Sequence, residues 1–248
     1  MIKGLYSSSN GMPPMLVKME VLANNLANMN ATGFKKDGMF VEMMKDSGVA
    51  PNSSAGELTT QLTIQRTTDF SEGSLKQTQN PLDFALQGEG YFVVQTPHGD
   101  RYTRNGNFTL GLDGSLTTRE GFPVLSSDGK ITLPNIQRIV QENVVVTESG
   151  DIMIGKDHVG KMRIVEFRDQ AKLKKEGSAL FRSDEENDPG LIEKEFPVVR
   201  QGFLEESNVD GIAEMIEMIE ISRHFESNQK AIASQDSTLE KLMEMGKL

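Results

Sequence analysis

Apolar residues recur near the start of the chain at Leu5, Met12, Met15, Met19, Leu22, Leu26 and Met29, in steps of three, four and seven. That spacing lays one stripe along a helix, a short version of a coiled-coil seam. The stripe predicts a helix ending near Thr32, with Gly33 in a left-handed position beyond its end and Phe34 folding back on Met29. Pro13-Pro14 conflicts with it. Both prolines lack an amide hydrogen and push the residue before them out of the helical region. The continuous helix is therefore expected to begin near Pro14, with residues 3 to 12 a separate turn or an extended arm.

The other end of the chain mirrors the first. Ser207, three residues before Asp210, reads as a capping-box-like start, followed by a stripe of Val209, Ile212, Ile216 and Ile219. Met218, Ile221, Phe225, Ile232, Leu239 and Leu242 continue at heptad spacing on a rotated face, as one seam drifting round the helix by a stutter-like shift. No glycine or proline interrupts Ile212 to Met245. A helix of roughly 35 residues is on the order of 50 Å long, and one that long needs a partner.

Between the ends the period changes to that of strands. Tyr91 to Thr96, Arg101 to Thr103, Asn107 to Leu110, Ile131 to Leu133, Val144 to Thr147, Ile152 to Ile154 and Met162 to Phe167 are short runs rich in β-branched and aromatic residues. They are punctuated by His98-Gly99, Asn105-Gly106, Asp113-Gly114, Asp128-Gly129 and Ser149-Gly150, dipeptides that tolerate tight hairpin turns. The expected fold class is mixed α and β, an all-β central domain flanked by N- and C-terminal helices that pair with each other. The expected divisions are a helix over 1–35, an extended linker over 36–75 around Ser53-Ser54-Ala55-Gly56, a β-rich domain over 76–204 and a helix over 205–248.

Composition narrows the function classes. The chain has 248 residues, a net charge of −10 and no cysteine, which excludes disulfides and thiol catalysis and argues against binding nucleic acid. No apolar run reaches a membrane span, and Met1 to Met15 hold no signal-peptide core. Charge is uneven, however: residues 1 to 36 carry four lysines against Glu20, whereas residues 205 to 248 carry ten acids against four bases. Opposite signs favour the two ends meeting.

Candidate chemistry is sparse. His98, His158 and His224 stand at no ligand spacing and read as solvated surface residues. Asp184, Glu186, Asp188 and Glu195 fit four positions of a calcium-loop template, but Pro189 occupies the place where the sharp turn needs glycine. Gly88-Glu89-Gly90 lacks the third glycine of a phosphate cradle and opens a strand, and no Walker sequence or nucleophile elbow occurs. The chain reads as a non-enzyme without cofactor or metal. More telling are Asn24, Asn25 and Asn28, poor helix formers crowded into the last turns of the first helix. Amides placed there read as hydrogen-bonding groups between packed helices.

Ala23-Asn24-Asn25-Leu26-Ala27-Asn28-Met29-Asn30-Ala31-Thr32-Gly33-Phe34-Lys35 resembles the N-terminal motif of bacterial flagellar rod and hook proteins. Asn80-Pro81-Leu82-Asp83, Gly88-Glu89-Gly90-Tyr91-Phe92 and Tyr102-Thr103-Arg104-Asn105-Gly106 are similar to the rod branch, as is Gly202-Phe203-Leu204-Glu205-Glu206-Ser207-Asn208-Val209-Asp210. The similarity covers nearly the whole chain and is weakest over 46–62 and 172–197. Length and the Pro81-to-Leu86 wording are most like the proximal-rod branch, with the distal-rod branch next.

The resemblance implies terminal helices paired in an inner tube, an outer β domain, and passage through the flagellar type III export apparatus without a cleaved signal peptide to a periplasmic rod. It implies rod and hook subunits as partners in a helical homo- and hetero-oligomer, and no catalysis. The expected assembly interface is Leu22, Asn24, Asn25, Leu26, Asn28, Met29, Gly33, Phe34, Ile212, Ile216, Ile219, Phe225 and Ile232. Two other classes stay open: a wall-associated ligand-binding β domain, which would need an aromatic-lined concavity although the chain has no Trp and three Tyr, and a peptidoglycan-cleaving enzyme, for which Asp83 with Glu89 is the one faint carboxylate pair.

Overall fold

The computed structural model describes residues 2–45, 60–133, 144–177, 179–183, 190–194 and 196–245, without the side chains of 2–10, 43–45, 60–62, 239, 242 and 244. The calcium-loop positions Asp184, Glu186, Asp188 and Glu195, the middle of the expected linker, and the side chains of Leu5, Leu239 and Leu242 lie outside these residues. The chain divides into two compact units, one of residues 1–27, 37–69 and 210–248, the other of residues 28–36 and 70–209.

The first unit is built on two helices, α1 (Ile2–Ala27) and α2 (Gly211–Met245), which pack against each other. The expected break at the prolines does not occur: α1 runs through Pro13 and Pro14. Two missing amide hydrogens leave the carbonyls of Ser9 and Asn10 without their usual donors, at a cost of about 3 kcal/mol for an interior proline. Packing of α1 on α2, where Asn228 of α2 reaches Met15 directly after the prolines, offsets that cost.

The lower boundary of α1 also differs, at Ala27 instead of Thr32, because Asn25 is already committed to a tertiary role and residues 28–36 belong to the other unit. At the start of α2 the cap is Asp210, whose Oδ1 accepts from the amides of Ile212 (3.0 Å) and Ala213 (3.2 Å). Ser207, the expected cap, instead accepts the amide of Val209 (3.3 Å).

The stretch expected as an extended linker holds a strand pair. β1 (Asp37–Lys45) and β2 (Thr60–Thr68) are antiparallel over nine residues each, from Asp37 opposite Thr68 to Lys45 opposite Thr60. Thr63, Thr67 and Thr68 are β-branched residues on this ribbon, where their stiffness favours the extended backbone.

Among the described residues the strand pairs of the second unit are antiparallel. Its six-stranded sheet runs Leu173–Lys175, Leu180–Ser183, Gly99–Thr103, Tyr91–Thr96, Ile164–Phe167, Leu191–Glu193. The strand Tyr91–Thr96 is buried on both faces: Phe92 and Val94 enter one apolar cluster, and Tyr91 and Val93 the other. This follows from the two-residue period of a strand with cover on each side. The first cluster also holds Phe84, Phe108, Val124, Ile152 and Ile164, the second Tyr102, Phe167 and Phe181. Three further strands, Val144–Val146, Asp151–Ile154 and Asp157–Lys161, form a second sheet with a bulge between Ile152 and Met153. Four short pairs complete the described strands: Phe84–Gln87 with Val198–Gln201, Leu75–Gln77 with Phe203–Glu205, Phe108–Leu110 with Leu116–Thr118, and Leu125–Ser126 with Gly129–Lys130.

Candidate assembly interface

Along α2, residues Glu214, Met218, Ile221, Phe225, Asn228, Ile232 and Gln235 are buried or half-buried, at alternating steps of four and three. This is the heptad pattern of a paired helix, present from the first turn. Ile212, Ile216 and Ile219 follow the same steps on the far side and are 72%, 54% and 53% exposed. At about 100° per residue the two stripes lie roughly 160° apart. What the spacing suggested as one drifting seam is therefore two separate seams, one occupied by α1 and one facing outward. Met215, also exposed, widens the outward stripe.

On α1, Val21, Leu22 and Asn25 are buried, Met12, Met15, Met19 and Leu26 half-buried, and Asn24 and Leu16 exposed. Val21 and Leu22 are sequence neighbours, and burial of both fits a helix that packs on α2 and also on β1. Asn25 is fully buried at that junction. Its Nδ2 donates to the carbonyl of Asp37 (2.9 Å) and to Glu214 Oε2 (3.1 Å), and its Oδ1 accepts the amide of Asp37 (2.9 Å). One side chain thus closes the start of β1 and ties α1 to α2, which explains an asparagine where helix propensity disfavours it. Lys18 pairs with Glu217, and Glu20 with Arg66 of β2 (2.9 Å), so the charge asymmetry of the ends is used in part within this unit.

The remaining motif residues lie in the second unit. Asn28 and Met29 are half-buried, and Gly33 and Phe34 are buried. Gly33 has a φ of +67°, as its expected left-handed geometry requires, but it stands six residues past the end of α1 and does not cap it. A Cβ there would sit 2.4 Å from the amide nitrogen of Asn105, so only glycine fits. Phe34 packs under Lys175, whose ammonium is 4.1 Å from the ring centre.

Next to it is a charged cluster that sequence reading missed. Lys35 and Glu205 are each 1% exposed and paired at 2.5 Å, Arg104 reaches the other Glu205 oxygen at 3.3 Å, and Lys35 also donates to the carbonyl of Ser71 at 2.6 Å. Burial holds the Lys35 ammonium below its ordinary range, with Glu205 pulling it back up. Both Lys35 and Glu205 stand inside the motifs quoted above, yet they are 170 positions apart and no local pattern marks them as partners.

Asp83 and Glu89 do not share a site built for hydrolysis. Asp83 Oδ1 accepts from Asn80 (3.0 Å) and Asn107 (2.9 Å), tying down a turn, while Glu89 faces solvent. His158 lies 3.3 Å from Asp151 at the surface, and among the described residues no three candidate metal ligands come together. Among the same residues no helix is long and apolar enough to cross a membrane.

Comparison with known proteins matches three parts of the chain to family models: "Flagella basal body rod protein" over residues 5–35, "Flagellar hook protein FlgE/F/G D1 domain" over 85–154, and "Flagellar basal body rod FlgEFG protein C-terminal" over 200–245. The rod protein FlgG of Bacillus subtilis (strain 168) is 33% identical over 99% of both chains. The rod protein FlgF of Caulobacter vibrioides is 32% identical over 97% of this chain and 95% of its own. The hook-basal body complex protein FlhO of Bacillus subtilis is 31% identical over the full length of both.

Proposed function

The chain belongs to the flagellar basal-body rod protein family and is a structural subunit of that rod; we propose that it polymerises through its terminal helices, as one element of the drive shaft that carries torque towards the hook. The observation that carries this reading is the second stripe on α2. Ile212, Ile216 and Ile219 line up opposite the seam occupied by α1, and a helix apolar on two opposite sides is one that a neighbour covers. The neighbours are rod and hook subunits, joined by heterologous contacts that propagate a helical tube. In this reading the surface offered to neighbouring subunits is Ile212, Ile216 and Ile219 of α2 with the exposed Asn24 of α1, while Leu22, Asn25, Phe225 and Ile232, expected on that surface, are buried or half-buried within the subunit. The subunit crosses the inner membrane unfolded, through the flagellar type III apparatus, and works in the periplasm without catalysis.

The test is Ile216→Asp in cells whose only copy of the gene carries the change. A carboxylate forced into a subunit contact costs several kcal/mol at every copy, whereas at the exposed position of a single chain it costs little. Secretion of the protein should continue while rods and swimming are lost. Swimming at the normal rate would overturn the assignment.

A further inference from the structure

The β unit takes in a segment that does not adjoin it in sequence. Residues 28–36 belong to it although 37–69 do not, and the contacts of Gly33 to Lys36 are specific along their whole length. The amide of Gly33 donates to the carbonyl of Glu205 (2.8 Å), Phe34 lies beneath Lys175, Lys175 donates to the carbonyl of Lys35, and the amide of Lys36 donates to Asn208 Oδ1 (2.7 Å). Both carboxylate oxygens of Glu205 are engaged: Oε1 accepts from Lys35 and from the amide of Gly73 (3.1 Å), and Oε2 from Arg104. Asn208 in turn donates to the carbonyl (3.2 Å) and hydroxyl (3.0 Å) of Ser71. Three stretches distant in sequence, 33–36, 71–74 and 204–208, are thereby fastened at one point.

We propose that the β unit is a receptor for its own chain's Gly33–Lys36 segment, and that seating this segment on Glu205 is the last step in the unit's folding. Two physical features place it last. Its central contact closes a loop of 170 residues, whereas the pairing of Tyr91–Thr96 with Gly99–Thr103 needs a two-residue turn, and loop entropy falls on the former. Burial of an ammonium and a carboxylate is also unfavourable until every partner is in place, so partial docking is worse than none. In a chain delivered from its N-terminus, Lys35 emerges long before Glu205, and the unit cannot close until nearly all of it is present.

The test is the folding and unfolding kinetics of the full chain at micromolar concentration, followed by tyrosine fluorescence. The chain has no Trp, and two of its three tyrosines, Tyr91 and Tyr102, are buried in the β unit. In Lys35→Met the unfolding rate should rise roughly a hundredfold with the folding rate within twofold of the parent, since a contact formed after the transition state affects only unfolding. Phe34→Leu, a milder change should Lys35→Met fail to fold, should speed unfolding roughly two- to tenfold with the same one-sided partition. A folding rate that falls in proportion to the lost stability would show early closure and overturn the proposal. Unchanged rates in both directions would equally overturn it, by showing that the segment is not held.

Discussion

The helical unit and the β unit bury their apolar residues to different degrees. In the β unit the strand Tyr91–Thr96 lies between two clusters, and Phe84, Phe92, Phe108 and Phe181 are almost wholly enclosed. In the helical unit three isoleucines of α2 remain more than half exposed. A sheet covered on both faces is a finished object, because each alternate side chain already has a neighbour. A helix pair has only one shared seam, and its outer faces stay available to other chains. The difference separates a sheet enclosed on both faces from a helix that keeps an apolar stripe uncovered, although Leu112 and Phe196 of the β unit are exposed as well.

The largest expected effect comes from opening the finished core. Phe92→Ala should cost the β unit about 3–5 kcal/mol in denaturant unfolding followed by tyrosine fluorescence, with the helical signal in circular dichroism little changed. An equal loss of helical signal would break the comparison, since it would mean that the two units melt as one.

A smaller loss is expected at the helix junction. Asn25→Ala removes one side chain that satisfies Glu214 and both main-chain groups of Asp37, and should cost about 1–3 kcal/mol in the melt of the helical signal. Asp210→Ala, which takes away the cap of α2, should cost about 1 kcal/mol in the same measurement. Neither change should shift the tyrosine-monitored transition.

Alkaline pH sharpens the contrast further. Burial raises the proton affinity of the Tyr91 hydroxyl above its ordinary value, so the unfolded chain ionises first. The stability this group contributes is whole below about pH 10 and is lost as pH rises beyond that, by up to about 1.4 kcal/mol per pH unit. Tyr91→Phe should flatten that slope in denaturant titrations above pH 10. Tyr102, also raised by burial, should leave a residual slope of the same sign.

Local pattern was enough to mark both helices, the strand Tyr91–Thr96 and the general β character of the middle, because helical and strand periods are properties of neighbouring residues. The left-handed backbone at Gly33 was also legible from its residue type. The family was legible too, through motifs that stand at fixed places along the chain. Tertiary structure decided the rest. Helix packing carried α1 through Pro13-Pro14 against their local preference, and pairing across an intervening segment turned threonine-rich text into β2.

Only three dimensions could show that Glu214 and not Ile212 faces α1, since both stripes obey the same period and differ only in what lies opposite. The cluster of Lys35, Arg104 and Glu205 was wholly out of reach of local reading. Its members are ordinary surface types taken singly, and their burial is tolerable only because residues far apart in sequence supply one another's hydrogen bonds.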